Sequence, residues 1–211
     1  LALLFYKGDK WLLSYRQIAY FSASSRQGVC KMNLNDLLKK LIEEKYNELA
    51  KFKENGIFEK INEFEGNAVG QIGEKFVKMV FANLGLKMQD FGEVIHDEFD
   101  ICLEDGTKIE IKTARKGLKN NSFQFNGINP NYNCKFIICI GLSPKAAFFK
   151  IVSGEKIYNH KTRKFYLNVE NEQKQIVAMN PQNQANFKLT LQLKDLEPIE
   201  NFENKLREIF G

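Results

Sequence analysis

The stretch from Asp100 to Lys112 constrains the fold most, because two runs of alternating apolar and polar residues flank the dipeptide Asp105-Gly106. Alternation with a period of two is typical of half-buried strands. An Asp-Gly pair between two such runs is a strong signal for a tight turn. The sequence therefore predicts a β-hairpin here.

The length of the turn decides which residues of the hairpin face each other. A two-residue loop would place Ile101 opposite Glu110 and mix apolar and charged groups on one face. A three-residue loop over residues 104–106, with Gly106 in the left-handed conformation, instead pairs Ile101 with Ile109. Because a shift of one residue moves every side chain to the opposite face, the apolar pattern favours the three-residue loop.

In that register Asp100 and Glu110 lie opposite each other and share a face with Lys112. Two carboxylates suit Mg²⁺, which takes one or two protein carboxylates and keeps several waters. A bound metal ion lowers the pKa of a water and neutralises charge on a phosphoryl oxygen. Lys112 is then suited to orient the attacking water or to stabilise the developing charge. The same pattern also fits a solvent-facing hairpin with a salt bridge. The choice between a metal site and a salt bridge therefore depends on features elsewhere in the chain.

A further candidate carboxylate, Glu74, lies on a helix predicted over residues 65–84, with Gly85 at its end. The helix contains Gly66, Gly70 and Gly73, and each glycine weakens a helix by about 1 kcal/mol relative to alanine. We therefore expect something to approach the helix backbone closely. Glu74 shares a face with Gly70 and could join a metal site as an outer ligand, although a surface glutamate explains it equally simply.

The remaining pattern predicts alternating strands, helices and loops within one domain over residues 32–211. Residues 1–31 are interpreted as an uncertain N-terminal extension, to which no function is attached. The expected elements are an amphipathic helix over 33–63 with a break at Asn55-Gly56, an Asn-rich loop over 120–133, a doubly buried strand over 136–140, a strand over 147–152, a basic, loop-rich segment over 153–164, a loop over 180–183, and a C-terminal strand followed by a helix from Ile199.

Composition limits the class of protein. At 211 residues with 44% hydrophobic and 27% charged residues, the chain belongs among globular proteins. It contains no apolar run of membrane-spanning length and no secretion signal. The four cysteines form no C-x-x-C pair, so we expect buried thiols in a reducing compartment rather than disulfides or a zinc site. The predicted location is cytoplasmic.

The distribution of charge indicates a polyanionic partner. Between Lys112 and Tyr166 there are eleven lysines and arginines against a single acid, Glu155, which gives this segment +10 within a chain of net charge +5. Asparagine and glutamine can bond to adenine, and arginine and lysine to guanine, in the major groove. These side chains also shape ordinary turns. The candidate DNA-binding residues are Arg115, Lys116, Lys119, Gln124 and Asn126.

The combination resembles the PD-(D/E)xK nuclease superfamily, and type II restriction endonucleases in particular. The likeness covers residues 65–152. It is carried by Gly-x-x-Gly-Glu over 70–74, the spacing D-x9-E-x-K from Asp100 to Lys112, the following Thr113-Ala114, and the segments 123–128 and 141–144. Phe99 stands where the motif has proline, a position that varies among members.

The resemblance implies an α/β fold with a restriction-endonuclease-like core, in which helices flank a mixed central sheet. It implies a Mg²⁺-dependent endonuclease that hydrolyses phosphodiester bonds of double-stranded DNA, with catalytic residues Glu74, Asp100, Glu110 and Lys112. Asp100 and Glu110 would hold the metal with Glu74 as outer ligand. A homodimer, formed through the helix over 33–63, and a DNA methyltransferase encoded nearby are the expected partners.

Two other functions remain open from the sequence. A repair or junction-resolving nuclease of the same superfamily would cut according to DNA structure, whereas the Asn- and Gln-rich segment favours reading of sequence. A DNA-binding module that has lost its chemistry would lack a carboxylate or the lysine, and this chain has them all.

Overall fold

The computed structural model describes residues 34–50, 55–91 and 96–211, and the chain divides into two compact units, residues 1–51 and 52–211. The predicted extension over 1–31 lies outside the described residues. The described part of the first unit is helix α1, Leu34–Ala50. All other elements belong to the second unit.

The helix predicted over 33–63 does not run as one element. Residues 56–58 form a bend and a turn, and Glu59–Glu63 form a short 3-10 helix. The Phe58 N–H donates to the Pro144 carbonyl at 2.9 Å, and a Cβ at Gly56 would overlap the Pro144 backbone. The break expected at Asn55-Gly56 is present because the chain here packs closely against another segment.

The second unit contains two α-helices, ten strands and three short 3-10 helices among its described residues. The α-helices are α2 (Gly66–Asn83) and α3 (Phe202–Phe210). The strands are β1 (Ile101–Cys102), β2 (Lys108–Arg115), β3 (Ser122–Ile128), β4 (Phe136–Leu142), β5 (Ala147–Ser153), β6 (Lys156–Asn159), β7 (Lys164–Val169), β8 (Glu172–Asn180), β9 (Asn183–Gln192) and β10 (Glu197–Pro198), and the 3-10 helices are Glu59–Glu63, Leu193–Asp195 and Ile199–Asn201.

The first sheet is mixed, with strand order β1-β2-β4-β5-β10. β2 and β4 are parallel, and the other neighbours are antiparallel. The hairpin register is confirmed, since Ile101 pairs with Ile109. Gly106 has a φ of +82°, so the three-residue loop with a left-handed glycine is confirmed as well. β4 is buried on both faces, as its apolar run predicts.

The second sheet is antiparallel, with strand order β3-β9-β8-β7-β6. Most of it was not expected from the sequence. The loop predicted over 120–133 is wrong where β3 forms, and the loop-rich segment over 153–164 contains β6. In β3, Phe123 and Phe125 are buried while Gln124 is exposed, so the period of two was present beneath the Asn-rich composition.

Three layers build the second unit. Helices α2 and α3 cover one face of the mixed sheet, where Val77, Phe81, Ile109, Ile138 and Phe202 form part of one apolar core. The second sheet covers the opposite face, where a separate core contains Phe123, Phe125, Ile137, Leu167 and Leu189 among others. The α/β class with a mixed sheet against helices is confirmed, but there are two sheets instead of one central sheet.

Among the described residues, none of the helices combines the length and apolar character that crossing a membrane requires.

Candidate functional site

The ExK pair lies on β2, on the face of the mixed sheet that is turned toward the second sheet. Glu110 is only 3% exposed, and its Oε1 lies 2.9 Å from the Lys112 Nζ. Ala114, two residues beyond Lys112, packs in the core between the sheets. Alternation along the strand therefore places Glu110, Lys112 and Ala114 on one face, as the hairpin register requires.

Asp100 is fixed opposite Glu110 by the backbone of the hairpin. Its N–H donates to the Ile109 carbonyl at 3.0 Å, and its Oδ2 accepts from the Ile111 N–H at 2.6 Å. The short second bond locks the carboxylate against the edge of β2. The structure thus brings Asp100, Glu110 and Lys112 together.

Glu74 reaches the same place because α2 packs very closely on β2. A Cβ at Gly73 would overlap the Thr113 hydroxyl, so only glycine permits this approach. Burial raises the pKa of Glu74 above its ordinary value of 4.5, and the negative charge of Asp100 raises it further. Lys78 and Lys112 oppose that shift. The structure therefore gathers all four residues of the predicted catalytic set into one electrostatic environment.

Lys112 is a cation at neutral pH. Burial alone would lower its pKa, but Glu110, Asp100 and Glu74 outweigh burial and raise the pKa above 10.5. A lysine in this state donates hydrogen bonds and stabilises negative charge, and it does not act as a general base.

Glu74, Asp100 and Glu110 supply three carboxylates around Lys112, and Lys78 also acts on Glu74. Carboxylate oxygens are the ligands that hard cations such as Mg²⁺ prefer. Within residues 34–50, 55–91 and 96–211, no three His, Cys, Asp or Glu side chains are arranged to hold a metal ion on their own. Mg²⁺ needs only one or two protein carboxylates and fills its other positions with water or substrate. Asp100 and Glu110 are the two carboxylates that the sequence predicts for such an ion.

Glu110 has further neighbours that the sequence did not reveal. Its Oε2 accepts from the Cys134 thiol at 3.7 Å, and the Lys156 Nζ donates to the Cys134 Sγ at 3.3 Å. Burial raises the pKa of the Cys134 thiol, with Lys156 opposing and Glu110 adding to the shift. The thiol is therefore protonated at neutral pH. Nothing in the sequence pattern links three residues this far apart.

A glycine lies over the lysine of the site. Gly127 has a φ of +79°, and a Cβ built there would be 3.7 Å from the Lys112 Nζ. Its N–H donates to the Asn186 Oδ1 at 3.1 Å, beside an irregularity in the pairing of β3 with β9. The end of β3 thus forms one wall of the site.

The predicted DNA-binding residues fall into two groups. Gln124 and Asn126 are exposed on β3, where they alternate with the buried Phe123 and Phe125. Arg115 donates from Nη1 to the carbonyls of Ile61 and Asn62 at 3.4 and 3.2 Å, so it anchors the short 3-10 helix. Lys116 follows the end of β2 and is half-buried, and Lys119 is exposed in the turn between β2 and β3.

The three predicted free thiols within the described residues, Cys102, Cys134 and Cys139, are buried and unpaired with one another, as expected.

Comparison with known proteins adds no relative: no family model, no curated protein and no solved structure matches the chain.

Proposed function

We propose that this protein is a Mg²⁺-dependent endonuclease that hydrolyses phosphodiester bonds of double-stranded DNA at specific sequences, in the manner of a type II restriction enzyme. The observation that supports the proposal most is the gathering of Glu74, Asp100 and Glu110 around Lys112, whose pKa is raised. Glu74 comes from α2, whereas Asp100, Glu110 and Lys112 come from the hairpin. In this proposal the mixed sheet with α2 is a restriction-endonuclease-like core.

Each residue of the site has a distinct role in that reaction. Asp100 and Glu110 would hold Mg²⁺ through carboxylate oxygens, and Glu74 would bind one of its waters as an outer ligand. The bound ion would supply a water of lowered pKa and would neutralise charge on the scissile phosphate. Lys112, as a cation, orients the attacking water and stabilises the charge that develops on the phosphoryl oxygens.

Double-stranded DNA is the proposed substrate because of charge and of the side chains beside the site. The segment from Lys112 to Tyr166 carries +10 in the sequence, and polyanion binding follows such charge. Gln124 and Asn126 are exposed on β3, so they are the first candidates to contact bases. We further propose that the protein acts in the cytoplasm, beside a cognate DNA methyltransferase.

A homodimer is the proposed assembly, with the second copy bound through α1. Leu38, Leu41, Ile42 and Tyr46 on this helix are each more than half exposed, and such an apolar stripe suits a helical partner. Sedimentation with and without DNA measures the mass directly. A monomer under both conditions would remove the dimer from the proposal and leave the chemistry untouched.

The decisive experiment is digestion of long, unmethylated duplex DNA with Mg²⁺, beside an EDTA control and a Lys112→Ala variant. We expect discrete fragments that disappear in both controls, and sequencing of their ends would give the recognition site. A smear that needs metal, or cleavage of branched DNA alone, would replace the restriction function by a structure-specific nuclease. Cleavage that persists in EDTA would contradict the metal-dependent chemistry.

A further inference from the structure

The two oxygens of the Glu110 carboxylate have very different partners. Oε1 lies 2.9 Å from the Lys112 ammonium, whereas Oε2 faces the Cys134 thiol at 3.7 Å. Both contacts are shielded from water, because Glu110 and Cys134 are each 3% exposed. A thiol is a weak donor. It can therefore hold the orientation of a carboxylate without competing strongly for its lone pairs.

Cys134 is itself held from two sides. The Lys156 Nζ donates to the Cys134 Sγ at 3.3 Å and to the Tyr132 carbonyl at 2.7 Å. A Cβ at Gly154 would overlap the Cys134 carbonyl, so glycine is needed there for the chain to lie so close. The thiol thus has little freedom to turn away from Glu110.

These contacts connect the two sheets. Glu110 belongs to β2 of the mixed sheet, Lys156 belongs to β6 of the antiparallel sheet, and Cys134 lies in the segment before β4. β6 lies at the far edge of its sheet from β3. β6, which lies outside residues 65–152, is therefore linked to Glu110 through Cys134. Lys156 contacts the thiol, and the thiol contacts the carboxylate.

We propose that Cys134 and Lys156 are positioning residues that orient Glu110 for binding a divalent cation. This inference rests on the proposed function, since it assigns these residues to the same site. Side chains that hydrogen-bond to a metal ligand fix its direction, and their removal commonly weakens metal binding or activity about 10- to 100-fold. Lys112 fixes one oxygen of Glu110 as a strong, charged donor, and the thiol contacts the other oxygen as a weak donor that competes little with a cation.

The test compares Cys134→Ala with Cys134→Ser, and Lys156→Met with Lys161→Met. Lys161 is an exposed lysine in the turn after β6, and its N–H bonds to Asn159, so it controls for loss of one positive charge. Calorimetric titration of each folded protein with Mg²⁺ in the absence of DNA measures binding directly. The Mg²⁺ concentration for half-maximal cleavage gives a second, independent measure.

We expect Cys134→Ala to bind Mg²⁺ about 10-fold more weakly, at the lower end of the usual range. Cys134→Ser should retain most of the affinity, because a hydroxyl still donates to Glu110. Lys156→Met should show a smaller loss in the same direction, and Lys161→Met should show none. At saturating Mg²⁺ the cleavage rate of Cys134→Ala should approach that of the parent, because only the orientation of a ligand has changed.

The outcomes separate this inference from the function on which it rests. If the parent cleaves DNA and Cys134→Ala binds Mg²⁺ as tightly as the parent, the positioning role is wrong and the nuclease proposal stands. If the parent neither binds Mg²⁺ nor cleaves, both proposals fail. If Cys134→Ala does not fold, the comparison of Lys156→Met with Lys161→Met becomes the test. Equal Mg²⁺ affinities of those two variants would overturn the role of Lys156.

Discussion

Two lysines on the same face of the mixed sheet are paired with carboxylates in opposite ways. On β2, Glu110 is the buried member at 3% exposure, and Lys112 beside it is only half-buried. On β5, Lys150 is the buried member at 4% exposure. Its partners Glu170 and Glu197 have side chains that are 68% and 35% exposed.

We propose that the difference distinguishes a site for chemistry from a structural contact. Glu110 is buried beside Asp100 and near Glu74, so negative charge is concentrated where water has little access, and a cation would relieve it. Lys150 receives a carboxylate from the turn between β7 and β8 and another from β10, and these acids keep contact with solvent. Lys150 therefore joins the two sheets, while the cluster at Glu110 is suited to bind a ligand.

Removing one charge from each cluster tests this distinction. Glu110→Gln should lower the cleavage rate by about 10³-fold or more, because a preorganised charged group of the site is lost. Lys150→Met should leave the rate within about threefold of the parent. Cleavage of a duplex that carries the recognition sequence measures both, with circular dichroism to confirm folding. Equal losses in the two variants would show that Glu110 acts only through the fold.

For stability, the outcome should depend on which members of the Lys150 cluster are replaced. Replacing both Glu170 and Glu197 by glutamine leaves Lys150 buried without an anionic partner, which typically costs about 3 kcal/mol or more. Lys150→Met leaves two carboxylates that solvent can reach and should change the free energy of unfolding by less than about 1 kcal/mol. Urea denaturation measures both. A double variant as stable as the parent would mean that water already reaches Lys150.

The glycines of α2 offer a matched pair for the approach of this helix to β2. Gly73→Ala would press a methyl group into the Thr113 side chain, whereas a Cβ at Gly70 meets nothing within 4 Å. We expect Gly73→Ala to destabilise the protein by about 1–3 kcal/mol. Gly70→Ala should stabilise it by about 0.5–1 kcal/mol, because alanine favours the helix.

Cleavage measured beside stability shows whether the approach of α2 also serves the site. Because Glu74 follows Gly73 directly, a displaced helix should reduce activity in Gly73→Ala even at temperatures where the variant is folded. If Gly73→Ala keeps full activity, the position of Glu74 does not depend on this contact.

The local geometry of the site was predictable because it depends on short-range rules. The alternation around Asp105-Gly106 defined the hairpin, its register and the face shared by Asp100 and Glu110. The glycines of α2 correctly indicated a close approach, but among these three only Gly73 makes one, since a Cβ built at Gly66 or Gly70 would meet nothing within 4 Å. Spacing along a helix cannot tell which glycine faces the neighbouring strand.

The second sheet and its contacts were not predictable by the same means. Asn-rich and Lys-rich composition in β3 and β6 indicated loops, yet pairing with neighbouring strands overrode these weak preferences. Arg115 could be placed in a basic turn, but its bonds to the Ile61 and Asn62 carbonyls depend on a segment more than fifty residues away. The same holds for Cys134 and Lys156, which meet Glu110 only in the folded chain.

The smallest expected effect concerns Glu74. Its ionisation should destabilise the folded protein, whereas ionisation of a carboxylate with a lowered pKa stabilises it. The pKa of Glu74 is raised in the folded protein, mainly by burial and then by Asp100. On raising the pH through 4.5, the unfolded chain loses this proton before the folded protein does, so the folded state is disfavoured as the group ionises. Glu74→Gln removes the free-energy cost of ionising this side chain in the folded protein. It should be more stable than the parent at pH 7 by up to about 0.5 kcal/mol, since the group is partly exposed.

The gain should disappear below pH 4.5, where Glu74 is protonated in both states of the parent. Thermal denaturation of parent and variant at pH 4 and pH 7 measures the difference. A gain in stability at pH 7 together with reduced cleavage would mean that Glu74 is kept ionised for function at a cost to the fold. A variant that is less stable at pH 7 would instead assign Glu74 a stabilising role in the fold.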